Sequence, residues 1–216
     1  MSFYINNNNP NRPGPLNSNP TNGLCEKALI EVTKVFDSCV SLTTETGINL
    51  TATDFTPANP ALPLTFISAE TNPAEEVTIT NIVIDRIESR PNYANVSATI
   101  TVPVLITYRD ANGVQGTATS TVTVTKNVIL FVPQPSATPI DIRAQAIVTS
   151  QIGTFTSPNI FTLTLCIQVI LKVVATVDLL VPSYGYPQIP ACQESPAAQC
   201  PGTAELPLYP TAICGN

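Results

Sequence analysis

The sequence predicts an all-β protein: a β-sandwich or distorted barrel of about eight to nine strands, with an extended N-terminal arm and a Pro/Cys-rich C-terminal tail. Three observations carry that prediction. Residues 95–132 read as two long strands folded on a tight turn. Ala98, Ile100, Val102, Val104, Ile106 and Tyr108 recur at every second position, with Ser97, Thr99, Thr101 and Thr107 filling most places between. That period sets one face on a core and the other in water or against a polar partner. Residues 161–181 alternate for longer still, from Leu163 through Ile167 and Leu171 to Val181. No stretch gives a firm helical pattern, and no repeat of fixed period is visible.

The elements follow in order. Residues 1–23 form an arm of Asn, Pro, Gly and Ser without an apolar period. Such a segment cannot bury enough surface to fold alone. It is either a disordered leader or an arm that orders against a neighbour. In the second case Phe3, Tyr4 and Ile5 are the anchor and the Asn/Pro run is the spacer. The β domain is expected over 24–186. Residues 24–40 alternate through Ile30, Val32 and Phe36 as a strand would, with a helix as the weaker alternative. As one strand they hold Cys25 and Cys39 about 45 Å apart. A disulfide needs Cα atoms within about 7 Å. Each cysteine then needs another partner, and Cys25, where arm meets body, is the better candidate for a contact between subunits.

Residues 48–55 and 64–69 are two shorter strands, separated by Pro57, Pro60 and Pro63. Proline at that density suits edges and loops. Residues 77–87 form a stronger strand whose apolar phase shifts near Asn81, which predicts a bulge. The central hairpin turns on Asp110-Ala111-Asn112-Gly113, where Asn and Gly tolerate the positive φ a hairpin turn demands. Pro133, Pro135 and Pro139 stiffen the next connection. Residues 140–152 alternate again and are expected to break at Gly153. The strand at 161–181 could span about 65 Å, so a bend or a switch between sheets is expected. Residues 187–216 are the Pro/Cys-rich tail.

Composition narrows the function. Only 11% of residues are charged, against an average of about 25%. The surface must be rich in Thr, Ser, Asn, Gln and Pro, and a surface short of charge packs readily against copies of itself. The net charge of −6 argues against nucleic acid, which demands a basic patch. There is no histidine, which removes the commonest general base and zinc ligand together. No phosphate-binding glycine loop or nucleophile elbow is present. Cys192 and Cys200 lie too far apart for a zinc knuckle. Glu75, Glu76 and Asp85 read as solvated edge charges. Asp110 with Asn112 is an incomplete calcium pattern. No catalytic residue, metal site or cofactor is expected. Residues 1–22 lack a basic and an apolar region, so no signal peptide is read, and no apolar run is long enough for a membrane helix.

Six cysteines without a signal peptide call for a physical reason. Inside a strand, Cys166 reads as a small core residue. Cys192, Cys200 and Cys214 sit in the tail with nothing strand-like around them. Disulfide pairing or cross-linking between chains is expected of them, and Cys25 and Cys39 join the candidates.

Residues 93–189 resemble the SPOCS-type domain of sporulation and spore-coat morphogenesis proteins of clostridia and related bacteria. The resemblance rests on a strand ending in ITYRDANG, a return strand running into VILFVP, a strand with IRAQAIV and the terminal run CIQVILKVVATVDLLVPSYGYPQIPAC. The opening CEKALIEVTKVFDSC is similar to the start of clostridial spore surface proteins. The family offers no enzymatic residues to carry over. The resemblance implies a structural role in the outer spore layers, through contacts with copies of itself and with other spore-coat proteins. No LysM-like module accompanies it, which favours a coat, exosporium or appendage component over a morphogenetic adaptor. It also implies synthesis in the mother-cell cytoplasm without a signal peptide, then oxidising conditions after release. Three readings stay open: a self-assembling surface protein, an adaptor recruiting another coat protein, and a carbohydrate-binding or hydrolytic β-sandwich.

Overall fold

The computed structural model describes residues 26–156 and 158–183, together with the backbone of Gly14 and Pro15. The described residues are all β, without a helix. The strands are β1 (Gly14–Pro15), β2 (Glu26–Thr51), β3 (Thr53–Thr56), β4 (Thr65–Thr71), β5 (Thr78–Arg86), β6 (Tyr93–Arg109), β7 (Gln115–Phe131), β8 (Asp141–Thr156) and β9 (Ile160–Ser183). They join in one sheet with the order β1-β2-β9-β8-β4-β6-β7-β3, and β5 adds to β6. The β1–β2, β3–β7, β4–β6, β4–β8, β5–β6, β6–β7 and β8–β9 ladders are antiparallel. The all-β expectation holds.

The chain divides into two compact units, Thr33–Thr176 and Met1–Val32 with Val177–Asn216. In the second, Gly14 and Pro15 pair with Lys27 and Glu26. Everything below concerns the first.

The β6–β7 hairpin is the frame. Its register runs unbroken from Tyr93↔Phe131 to Arg109↔Gln115. The alternating residues Ala94, Val96, Ala98, Ile100, Val102, Val104, Ile106 and Tyr108 are fully buried. The expected turn forms, with Gly113 at φ +83°. Asp110 holds it: its Oδ1 accepts the N–H groups of Asn112 (2.9 Å) and Val114 (2.8 Å). Those carboxylate bonds replace the main-chain partners that turn amides otherwise lack.

β9 supplies the other half of the core. Phe161, Leu163, Leu165, Ile167, Val169, Leu171 and Val173 alternate inward. The alternation then ends, because Val173, Val174 and Ala175 are buried in succession. Phe161 sits between the rings of Phe155 (5.2 Å) and Phe66 (6.1 Å), so strands β4, β8 and β9 meet on one aromatic cluster.

β2 is longer than the sequence suggested. The two expected strands, 24–40 and 48–55, are largely one, and the strand reading of 24–40 prevails over the helix. The chain passes through Gly47 at φ +72° without leaving the ladder, a conformation that glycine takes at no steric cost. β2, second in the path, and β3, at its far end, are separated in sequence only by Ala52. β2 also borders β7 through side chains. Asp37 Oδ2 accepts Phe131 N–H (2.7 Å), and Ser120 Oγ donates to Thr51 O (2.9 Å).

Two local expectations have opposite outcomes. The bulge near Asn81 is present: Asn81 has φ +51° and the β5–β6 register shifts between Thr80 and Val83. The break at Gly153 is not, since β8 continues to Thr156. Gly153 is there because a side chain has no room. A Cβ would clash with Leu163 Cδ2 and lie 2.9 Å from Phe66 Cδ1. The irregularity falls instead between Thr149 and Ile152. There the buried Ser150 hydroxyl donates to Ile152 O (3.0 Å), supplying a polar group where the ladder lapses.

Candidate functional site

The described surface offers strand edges and apolar side chains. β5 is the clearest case. It pairs with β6 alone, and its Ile82, Val83 and Ile84 are 39%, 57% and 39% exposed. In a regular half-buried strand every second side chain points inward. The bulge at Asn81 breaks that phase, so three successive apolar residues stand in water. Register places Val83 opposite Ser97 and Asn95 opposite Ile129, which is 59% exposed. Tyr93 and Phe131 pack edge to face at the hairpin's end (5.6 Å). Asp85 is exposed on this strand as expected of an edge charge, while Glu75 Oε1 is bonded to Asn72 Nδ2 (2.7 Å) in the turn before it.

Arg86 closes β5. Its Nη1 donates to Pro91 O (3.2 Å) and Val132 O (3.1 Å), and its Nη2 to Pro133 O (2.7 Å). One guanidinium thereby fixes the end of β5 to the exit of β7 and the start of the proline connection. Between that connection and β5 lies a cavity of about 230 Å³, lined by Ile84, Arg86, Val132, Pro139 and Ile140 among others.

The cysteine candidates divide. Cys39 is on β2, half-buried against the core, and carries a free thiol. Cys166 is also free but exposed on β9, so the expectation of a core thiol is corrected. Its neighbours Leu165 and Ile167 take the inward positions, and the alternation sends Cys166 outward. Cys25, Cys192, Cys200 and Cys214, and the arm residues Phe3, Tyr4 and Ile5, lie outside the described residues.

Among the described residues no group of three or more His, Cys, Asp or Glu side chains could hold a metal ion. Asp110, the one half-plausible calcium ligand in the sequence, spends its Oδ1 on the turn. Nor is any helix among them long and apolar enough to cross a membrane. Tyr108 is the group with a shifted ionisation: burial, and secondarily the Asp110 carboxylate, raise its phenol above the ordinary value. Its Oη is buried without a hydrogen-bond partner. It faces the tight approach of Gly116 rather than a cleft.

Sequence reading missed the exposed triplet, although its signal was present. A phase shift followed by three adjacent apolar residues, IVI, cannot place all three inside.

No family model, curated protein or solved structure matches the chain.

Proposed function

We propose that this chain is a non-enzymatic, self-assembling structural protein of the bacterial spore surface, in coat, exosporium or appendage. Strand contacts between copies hold the assembly, and disulfides lock it. The observation that carries the reading is the edge strand β5 with Ile82, Val83 and Ile84 exposed in a row. Soluble monomers blunt such edges with charge or proline, and an apolar edge invites another chain to pair with it. The low charge and the Thr-rich outer faces of β6 and β7 support the same reading, since little repulsion opposes close packing of copies. The spore assignment draws on the SPOCS-like phrases alone. Exposed Cys166 joins the tail cysteines as a group available for cross-linking.

Negative-stain electron microscopy of the purified protein, with and without reductant, tests the proposal. Filaments or sheets are the expected result, and only the oxidised ones should survive boiling in detergent. A monodisperse monomer under both conditions would overturn self-assembly and leave the adaptor that recruits another coat protein.

A further inference from the structure

In the Thr33–Thr176 unit, β4, β8 and β9 lie side by side and share an outer face. Register places its side chains in rows. Glu70, Thr149 and Cys166 are cross-strand partners in one row. Ile147 with Gln168, Gln145 with Ile170, and Arg143 with Lys172 follow at every second position. These side chains point away from the core, because Ala146, Val148 and Ser150 on β8, and Ile167, Val169 and Leu171 on β9, take the buried positions between them. From Arg143 to Thr149 the face runs about 20 Å.

The middle of the face is hollow. A depression of about 290 Å³ is lined by Gln145, Ala146, Ile147, Gln168 and Ile170. Ile147 stands at its rim and is 57% exposed. The two ends differ in charge. At one end Glu70 is exposed, and its carboxylate has no ion-pair partner. At the other end are two cations. Arg143 spends only its Nε–H on the Asp141 carboxylate (3.2 Å). Lys172 Nζ donates to Gln145 Oε1 (2.7 Å), which is neutral. Two cations and one carboxylate leave that end positive.

We propose that this face docks on the same face of a second copy of the chain, across a two-fold axis that crosses the strands at the level of Ala146. The inference rests on the self-assembly reading above and names one of its contacts. Charge selects both the occupant and the axis. A two-fold axis along the strands would lay Arg143 and Lys172 over their own copies, where they repel. An axis across the strands reverses their direction, so the Glu70 row of each copy meets the Arg143 row of the other. The Nη groups of Arg143, unspent on Asp141, then face a carboxylate that has no other partner. The same operation carries Ile147 of each copy over the Gln145–Ile170 pair of the other, at the depression. Protrusion and hollow lie on one face, as a self-complementary contact requires. Cys166 comes opposite Lys172 of the other copy and not opposite its own counterpart, so this contact forms without a disulfide. The face is smaller than a permanent dimer interface. The contact is weak alone and gains strength when an array repeats it. A two-fold contact also closes on itself, so a filament needs a second one, for which the β5 edge is available.

Sedimentation velocity of the full chain in reductant, over a range of concentrations, measures the contact. The wild-type chain should associate as concentration rises. Glu70→Arg and Arg143→Glu should each weaken association roughly tenfold, and the two changes together should restore it, because the pair re-forms with its signs exchanged. Ile147→Asp should weaken it at least as much. Ile152→Asp should not, although Ile152 is 69% exposed on the same strand, because it lies beyond the Glu70 row. Association that ignores the single charge changes, or that the double variant fails to restore, would overturn this contact and leave self-assembly standing. Association only in oxidant would do the same. A chain that stays monomeric in both conditions would overturn both.

Discussion

Phe161→Ala should cost the protein about 3–5 kcal/mol, the range for deleting a buried aromatic ring from a core. Phe161 is 0% exposed and opens β9. Its ring is in contact with Phe155 and Phe66 from two other strands. The β8–β9 ladder holds the surrounding backbone in register, so the vacated space stays largely open. Urea unfolding of the reduced full chain measures the effect as a lower midpoint at unchanged slope. A loss below about 1 kcal/mol would mean that the three strands repack around the gap and that the aromatic cluster is not a centre of the core.

Gly116→Ala is the second large effect, at about 1–3 kcal/mol of overpacking. The new Cβ would stand 2.6 Å from Tyr108 Cζ and Oη and 2.7 Å from the Thr56 carbonyl oxygen. The carbonyl is main chain on β3, so relief requires moving the short strand that ends the sheet path. Tyr108→Phe should relieve part of the clash, and the double variant should be more stable than the sum of the single changes predicts. Alone, Tyr108→Phe is expected to be neutral or slightly stabilising, because the lost hydroxyl is buried without a partner. It should also change the alkaline limb. The folded phenol ionises above its ordinary value, so the unfolded chain loses its proton first. Stability present below about pH 10 is then lost as pH rises toward the folded value. Unfolding measured across that window should fall less steeply in the Phe variant. An unchanged slope would refute the burial argument.

What the sequence disclosed was local and periodic. The hairpin, its turn and the inward faces of β6 and β9 follow from two-residue alternation over long runs. The bulge was legible because Asn81 tolerates positive φ and the phase changes there. Gly153 misled, since glycine marks both strand ends and places of close contact, and only the positions of Leu163 and Phe66 distinguish the two. Cys166 misled by type: thiols are commonly buried, but its position in the alternation sends it outward. The hand-over from β4 to β5 along the edge of β6 was not legible at all. It exists because β4 leaves β8 at Thr71 and the chain resumes along β6, and no single segment encodes that parting.

The distances spanned by the ladders carry a consequence for the order of folding. β6 and β7 are joined through a turn of five residues, 110–114, and can zip together within microseconds. β2 must find β9, and Thr162 donates to Asn49 across 113 residues. Closing so long a loop comes late, after its entropy is offset by contacts already made. Pulse-labelled hydrogen exchange should therefore protect the β6–β7 amides before those of β2. A strand translated among the first is docked among the last. Until β9 is made, Phe36, Cys39 and Ile48 of β2 lack the strand beside which they pack on the core.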